Sequence, residues 1–304
     1  MSRFADLEAF VAVVETGSFT AAAERLEGDK SAISRRISAL EERLGVQLLR
    51  RTTRSLNLTD SGAGFYQRAS QVLSDLEEAE SAVAQEHGEL RGRLRLSLPL
   101  SFSVRHMGTP IAEFNAQHPQ VEFDLDLSDR KVDLLQDGMD LALRIGRLED
   151  SSLIARRLFD ARAVVCASPD YIAEHGAPES PEDLINHRCL AYSLLEDPDH
   201  WTWIDDDGNR QKVRVGVSMM ANSGDILSQA AAAGQGIVLQ PTFIAHEFIC
   251  DGRLVPLLRD YKLPESAAYA VYPPTRHLSY RVRAFIDYLV DYFSGECYWD
   301  KECE

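Results

Sequence analysis

Apolar residues in the first 60 positions recur at steps of three and four, which is the period of an amphipathic helix. The positions that share this spacing and predict a first helix are Phe4, Leu7, Phe10, Val11 and Val14. After Gly17, the hydroxyl of Ser18 can accept hydrogen bonds from the free backbone N–H groups of a second helix, and Asp29 can do so for a third. Gly45 ends that third helix. The pattern therefore predicts three short helices joined by tight turns.

The third predicted helix has an apolar stripe and an opposite face rich in basic and hydroxyl side chains. The stripe consists of Ile33, Ile37, Leu40 and Leu44. Ser34 and Arg35 must then face away from the core. Leu48 and Leu49 predict a short core strand, and residues 51–58 predict an arginine-rich ribbon, or wing. A helix-turn-helix followed by a basic wing is typical of proteins that recognise double-stranded DNA.

A long helix is predicted from Asp60 to about residue 87. Its apolar positions follow a strict 4-3-4-3-4 spacing through Phe65, Ala69, Val72, Leu76, Ala79 and Val83. This spacing is typical of the seam of a two-stranded coiled coil, so we interpret the segment as a dimerisation helix. The alternative is that a single helix buries the stripe against its own domain.

After residues 88–92 the apolar residues begin to alternate with polar ones. Strands are predicted at residues 93–98, 121–127, 141–145, 163–167, 213–217, 236–239 and 268–272, with a helix near residues 104–117. Strands that alternate with helices indicate α/β sheets, which bind ligands beyond the C-terminal ends of their strands. Because about 215 residues are long for one lobe, we expect two lobes with a cleft between them.

The distribution of charge along the chain, rather than the net charge, bears on the prediction of DNA binding. The 304-residue chain has a formal net charge of −16. Residues 1–60 are nevertheless neutral, and residues 19–59 hold eight basic against five acidic side chains. A local basic surface is enough to contact phosphates, whereas the acidic remainder is repelled by a duplex. No apolar run reaches the length of a membrane span, and the acidic N-terminus argues against a signal peptide, so we expect a cytoplasmic protein.

Several runs of this sequence resemble the LysR-type transcriptional regulators. The runs that carry the resemblance are residues 10–26, 32–41, 44–48, 140–146, 167–171 and 281–287. The resemblance covers nearly the whole chain. It implies the fold class α plus α/β: an N-terminal winged helix-turn-helix, a linker coiled-coil helix, and a two-lobed α/β effector domain resembling periplasmic binding proteins.

The resemblance also implies domain boundaries and an assembly. The DNA-binding domain is expected at residues 1–59, the linker and dimerisation helix at 60–88, and the effector-binding domain at 89–304. Lobe I is expected at about 89–162 and 268–304, and lobe II at about 163–267. Regulators of this family commonly assemble as homodimers or homotetramers.

The third helix is expected to enter the major groove of DNA. The candidate DNA-binding residues are Thr20, Lys30, Ser31, Ser34, Arg35, Arg36, Arg51 and Arg54. Thr20 begins the second helix, where a hydroxyl and backbone N–H groups suit a phosphate. Arg51 and Arg54 suit the minor groove or its phosphates, although any of these arginines could be a solvated surface charge. Residues 29–31 replace the usual Ser-Gln-Pro of the family, which changes the expected operator preference.

Effector contacts are expected where strands end in the two lobes. The candidates are Ser101, Ser103, Ser128, Arg144, Ile145, Asn222 and Ser223. Free N–H groups and hydroxyls near Ser101 would suit a carboxylate. Asp225 would repel an anion, which leaves a neutral or amine-bearing effector open. Helix capping by Ser101, Ser103 and Asn222 is an equally open interpretation.

The sequence contains no catalytic constellation: no nucleophile elbow, Walker loop, dinucleotide-binding glycine motif or zinc-protease motif. We therefore expect a protein that is not an enzyme, with no metal and no cofactor. Cys297 and Cys303 match no strong zinc spacing, and Cys166 is predicted in the core. The expected partners are double-stranded promoter DNA, a small-molecule effector, further copies of the chain, and RNA polymerase. The alternatives are a solute-binding protein, an architectural DNA-binding protein without transcriptional switching, and an enzyme with an appended DNA-binding domain.

Overall fold

The computed structural model describes residues 2–26, 28–51, 56–83, 90–130, 132–134, 137–147, 153–274 and 278–301. The chain divides into two units, residues 1–92 with 133–139, and residues 93–132 with 140–304. None of the helices described in these ranges combines the length and the apolar character that crossing a bilayer requires.

The first unit begins with a winged helix-turn-helix. Its elements are α1 (Arg3–Thr16), α2 (Phe19–Arg25), α3 (Lys30–Leu44), β1 (Leu49–Arg51) and β2 (Leu56–Leu58). The two strands pair antiparallel and form the base of the wing. The three predicted helices and the ribbon are therefore all present.

The helix caps are those that the sequence predicts. Ser18 Oγ accepts hydrogen bonds from the backbone N–H groups of Thr20 and Ala21, at 3.2 and 3.4 Å. Asp29 Oδ1 accepts one from Ala32 at 2.9 Å and so starts α3. Gly45 ends α3 in the left-handed region, with a φ of 70°.

Apolar side chains from the three helices and the start of the wing form one core. Its members include Phe10, Val13, Ala22, Ile33, Ile37, Leu40 and Leu48. The predicted stripe of α3 is confirmed for the first three of its positions. It is wrong for Leu44, which is 38% exposed, because this last residue of α3 extends beyond the packed part of the helix.

A long helix, α4 (Asp60–Val83), follows the wing. Its first turn lies against the backbone of the wing, since a Cβ added to Gly62 would lie 2.0 Å from the carbonyl oxygen of Leu48. The ring of Phe65 packs against Phe10 at a centroid distance of 5.5 Å, and Ala69 is buried in the same core. For Phe65 and Ala69, burial against the helix's own domain is therefore observed.

The remaining seam positions of α4 differ from these two. Val72 is 44% exposed and Leu76 is half-buried. The side chains of Ala79 and Val83 lie outside the described residues. The interpretation of α4 as a dimerisation helix stays a prediction, and it now depends on the seam from Val72 onward.

The second unit contains two lobes, each built on a five-stranded sheet. The strands of the first sheet are β3 (Arg91–Leu98), β4 (Gln120–Leu127), β5 (Leu141–Gly146), β6 (Ile154–Ala161) and β14 (Ser266–Tyr272). They are ordered β4-β3-β5-β14-β6. The helices that belong to this lobe are α5 (Leu100–His106), α6 (Gly108–Gln117) and α10 (Tyr280–Tyr292).

The second lobe has the strand order β11-β8-β12-β7-β13. These strands are β7 (Ala163–Ala167), β8 (Cys189–Tyr192), β11 (Val217–Ala221), β12 (Ile237–Pro241) and β13 (Val255–Leu257), and a separate hairpin joins β9 (His200–Ile204) to β10 (Arg210–Arg214). Its helices are α7 (Pro169–His175), the 3₁₀ helix Pro181–Asn186, α8 (Gly224–Ala232) and α9 (Thr242–Cys250). The short helix α11 (Tyr298–Lys301) packs against α9.

The chain passes from the first sheet to the second at Arg162, and returns between Leu257 and Ser266. Two sequence-based assignments in this unit are wrong. The single helix predicted near residues 104–117 is two helices broken at Met107, and it begins earlier, at Leu100. The strand predicted at residues 213–217 is two strands separated at Gly216, where a Cβ would lie 2.4 Å from the carbonyl oxygen of His187. Cys166 is fully buried, as predicted.

Candidate DNA interface and inter-lobe cleft

The outward face of α3 carries the side chains that the sequence assigns to DNA. Lys30, Ser31 and Arg35 are exposed, and Ser34 and Arg36 are half-buried beside them. Arg35 Nε donates a hydrogen bond to the carbonyl oxygen of Ser31 at 3.2 Å, so the guanidinium lies along the first turn of the helix. The start of α3 therefore presents two cations and a hydroxyl on one exposed surface.

Asp29 shapes this surface as well as capping it. Its carboxylate accepts a hydrogen bond from the Ser31 hydroxyl, in addition to the one from the backbone of Ala32. The hydrogen bond from Ser31 lowers the pKa of Asp29, with a further contribution from Ala32. Asp29 is thus a carboxylate at neutral pH, and the hydroxyl proton of Ser31 is directed towards it.

Thr20 is exposed at the start of α2, as the sequence predicts. Its backbone N–H, however, is hydrogen-bonded to Ser18 Oγ. The predicted role of backbone N–H groups in holding a phosphate here is therefore wrong for Thr20 and Ala21, because the cap already engages both. The Thr20 hydroxyl is the group that a phosphate would meet here.

A residue that the sequence analysis did not single out fixes the wing to α3. Glu41 Oε1 accepts hydrogen bonds from the backbone N–H groups of Leu48 and Leu49, at 2.8 and 3.0 Å. Arg51 lies in β1, but its side chain lies outside the described residues, and so does the whole of Arg54. The positions of these two wing arginines relative to DNA stay predictions.

In the first lobe, Arg144 is held at the end of β5. Its guanidinium donates to the carbonyl oxygen of Leu143 at 2.8 Å and to Ser97 Oγ at 3.1 Å. Burial lowers the pKa of this half-buried guanidinium. Ile145 is half-buried next to it. The arrangement places one fixed positive charge near the ends of β3 and β5.

Ser101 and Ser103 lie in α5 with 5% and 6% of their surface exposed. Neither hydroxyl has a hydrogen-bond partner within the described ranges. The capping interpretation is wrong for both, because the N-cap of α5 is Pro99 and no side chain caps this helix. A buried hydroxyl without a partner is unfavourable by about 1–3 kcal/mol, so these two groups suit a bound polar molecule.

The carboxylate of Asp129 lies against the start of α5, a contact that the sequence pattern does not indicate. Its carboxylate accepts a hydrogen bond from the backbone N–H of Leu100 at 3.2 Å, and Tyr192 of the second lobe donates another. Burial raises the pKa of Asp129. The first free N–H group of α5 is therefore already taken by the chain's own carboxylate. Ser128, beside it, accepts from the backbone N–H of Arg130 at 3.3 Å.

In the second lobe, the turn before α8 is capped by Ser223, whose Oγ accepts from the backbone N–H of Ile226 at 3.5 Å. Asn222 is exposed and does not cap the helix, so that interpretation is wrong for Asn222. Asp225, in the first turn of α8, is engaged by an arginine of the other lobe. Gly224 packs closely, since a Cβ there would lie 2.6 Å from Ile244 Cδ1.

Arg105 of α5 is the arginine that binds Asp225, and it bridges the two lobes. Its Nε and Nη2 donate to Asp225 Oδ1 at 3.0 and 2.6 Å, and its Nη1 donates to Glu247 of α9 at 2.5 Å. Ser101 precedes Arg105 by four residues, so the two side chains project from the same face of α5. The unpartnered hydroxyl of Ser101 therefore lies on the face of α5 that is directed towards the second lobe.

No group of three or more side chains of the metal-ligating types is clustered in the described part of the chain. The polar side chains described around the cleft are hydroxyls, three bound carboxylates and two bound guanidinium groups. This set can hold a small polar molecule by hydrogen bonds.

Two family models match the chain. The model described as "LysR substrate binding domain" matches residues 87–294, and the model described as "Bacterial regulatory helix-turn-helix protein, lysR family" matches residues 4–63. Together they cover both the winged helix and the two lobes.

Known proteins are similar along nearly the full length. The chain is 39% identical over 288 residues to the HTH-type transcriptional regulator CrgA of Neisseria meningitidis serogroup C, which covers 94% of this chain and 95% of CrgA. A solved structure of CrgA from Neisseria meningitidis, described as a LysR-type transcriptional regulator, has a TM-score of 0.62 at 36% identity and covers 97% of this chain and 100% of that one. The full-length structure of AphB, described as a Vibrio cholerae virulence activator, has a TM-score of 0.61 at 31% identity and covers 96% and 100%.

Proposed function

This chain belongs to the LysR-type transcriptional regulators, a family of DNA-binding proteins that are not enzymes, and we propose that a small molecule bound between its two α/β lobes controls its action on promoter DNA. We divide the chain into a DNA-binding domain at residues 1–59, a linker helix at 60–88 and an effector-binding domain at 89–304. The continuous winged-helix core and the two separate five-stranded sheets support this division.

The DNA contacts that we propose come from the start of α3. Lys30 and Arg35 are exposed cations at the N-terminal end of a helix-turn-helix recognition helix, which is the end that contacts base edges. An arginine can bind guanine through two hydrogen bonds, so Arg35 is the best candidate for sequence recognition. Because Asp29 attracts the hydroxyl proton of Ser31, Ser31 presents its oxygen lone pairs to DNA and acts as an acceptor.

The observation that carries the effector proposal is the buried, unpartnered hydroxyl of Ser101, on the face of α5 that is directed towards the second lobe. Arg144 is fixed near the end of the same sheet and offers a positive charge. Asp129 and Asp225 add negative charges on the two sides. This balance favours an effector that is neutral or zwitterionic and carries several oxygen or nitrogen atoms, rather than a simple anion.

The switch that we propose acts through the contacts that join the lobes. Arg105 binds Asp225 and Glu247, and Tyr192 binds Asp129, so two sets of contacts connect the lobes across the cleft. A ligand that prefers one angle between the lobes shifts the population towards that angle. In the proposed mechanism this change alters the spacing of the DNA-binding domains and the bend of the promoter.

The assembly that we propose is a homodimer or homotetramer formed through α4. The exposed Val72 and the apolar spacing beyond it support this role. RNA polymerase is the partner through which such a promoter-bound assembly would act, and the cytoplasm is the compartment that contains both.

A thermal-shift screen tests the effector site. The full-length protein is heated with candidate small polar metabolites, and compounds that raise the melting temperature are retested on Ser101→Ala. Because the substitution removes an unpartnered buried hydroxyl, the ligand-free variant should melt no lower than wild type, while the ligand-induced shift should shrink. Ser70→Ala is the matched control, since Ser70 Oγ is also buried without a described partner but lies on α4. An equal ligand-induced shift in all three proteins would contradict the assignment.

A further inference from the structure

A cavity lies on the side of α5 that faces the C-terminal segment of the chain. Its volume is about 320 Å³, which is within the range of small-molecule sites. It is lined by side chains of α5, by the end of α10 and by the segment from Ser294 to Trp299. None of the serines assigned to the effector cleft lines it.

The C-terminal segment is anchored to both lobes beside this cavity. Trp299 is 2% exposed, and its ring lies 4.3 Å from the ring of His106, centroid to centroid. The next residue, Asp300, accepts a hydrogen bond from the hydroxyl of Thr242 in the second lobe at 2.6 Å. The cavity wall is therefore a packed part of the fold.

Several polar groups of the wall are already paired, whereas the buried indole N–H of Trp299 has no hydrogen-bond partner among the described residues. His106 Nε2 donates to the carbonyl oxygen of Phe243 at 2.9 Å, and its Nδ1 accepts from the Tyr298 hydroxyl at 3.0 Å. Arg105 is neutralised by two carboxylates, Asp225 and Glu247. Glu296 has no hydrogen bond or ion pair to any residue that the structure describes.

The aromatic side chains of the wall determine what else can bind. Tyr292, Phe293, Tyr298 and Trp299 all line the cavity. The faces of such rings carry negative potential and attract cations. A free carboxylate together with aromatic faces attracts a positive charge, and the same rings offer a flat apolar surface to an aromatic ligand.

We propose that this cavity is a second ligand site of the regulator, which binds a small organic cation that has a flat apolar body and a primary ammonium group. The ammonium group pairs with Glu296, and the apolar body packs on Tyr292 and Tyr298, the two rings of the wall that are 40% and 55% exposed. Because Trp299 and His106 connect α5 to the second lobe, a ligand here contacts groups that hold the lobes together.

Isothermal titration of the full-length protein with phenethylamine tests this site. Phenylacetate is the matched probe, since it has the same ring with the opposite charge. We expect one phenethylamine site per chain, and binding of phenylacetate that is at least about tenfold weaker. Glu296→Gln should weaken phenethylamine about fivefold, as expected for a partly exposed charge pair, whereas Glu265→Gln, an exposed carboxylate elsewhere in the same unit, should leave it unchanged.

Each of the following results would overturn the proposal. The first is the absence of phenethylamine binding up to millimolar concentration. The second is phenylacetate binding as tight as that of phenethylamine, or equal phenethylamine affinity in wild type and Glu296→Gln. The third is loss of phenethylamine binding in Ser101→Ala, which would place the amine in the inter-lobe cleft.

Discussion

Glu41 attaches the wing to α3. A substitution that removes its carboxylate should therefore loosen the wing and leave the rest of the domain unchanged. One carboxylate oxygen accepts hydrogen bonds from the backbone N–H groups of both Leu48 and Leu49. These two residues are 1% and 3% exposed, so water cannot easily replace the carboxylate. The substitution Glu41→Ala leaves two backbone donors without an acceptor.

The size of the effect follows from those two hydrogen bonds. A buried donor that loses its acceptor costs about 1–3 kcal/mol, so the free energy of opening the wing should fall by about 2 kcal/mol at least. Since about 1.4 kcal/mol is a factor of ten, the amides of Leu48 and Leu49 should exchange roughly 30 times faster. Glu41→Gln keeps one acceptor oxygen and should have a smaller effect.

Hydrogen exchange read by mass spectrometry, on the full-length protein at one pH, measures this directly. Glu42→Ala is the matched control, because Glu42 is an exposed neighbour on the same helix. Faster exchange should be confined to the wing in Glu41→Ala. Equal exchange rates at Leu48 and Leu49 in the Glu41→Ala and Glu42→Ala variants would refute the reasoning.

Three further predictions follow from the structure. Arg35→Ala should weaken operator binding in a gel-shift assay by about 1–3 kcal/mol and leave dimerisation unchanged, whereas Arg210→Ala should leave affinity unchanged. Gly62→Ala should lower the melting temperature, because its Cβ would overlap the wing backbone, whereas Gly64→Ala meets open space and should be neutral or stabilising. Burial lowers the pKa of His106, so the folded state binds fewer protons than the unfolded chain as pH falls below the ordinary histidine value. Wild type should therefore lose more stability than His106→Gln between about pH 7.5 and 5.5 in thermal melts; equal losses would contradict this.

Features that depend on neighbouring residues could be predicted from the sequence. Ser18 and Asp29 cap their helices as expected, because a cap needs only a short polar side chain and the first helical turn that follows it. The apolar stripe of α3 was predictable for the same reason, since helical period is a local property.

Contacts between distant segments could not be predicted in this way. Arg105 and Glu247 are 142 positions apart, and nothing in the local sequence pairs them. Asp129 removes the first free N–H group of α5, an effect that depends on where two strands end in space. The capping interpretation of Ser101 failed because Pro99 occupies the N-cap position, which leaves the buried hydroxyl unpaired.

Footprinting with and without a ligand tests the central claim most directly. The ligand is a compound that raises the melting temperature of wild type but not that of Ser101→Ala, and the DNA is a promoter fragment that the protein retards. The proposed mechanism predicts that this compound changes the length or the hypersensitive positions of the wild-type footprint and leaves the Ser101→Ala footprint as it is without ligand. A wild-type footprint that stays identical at saturating ligand would contradict control of DNA binding by the cleft between the lobes.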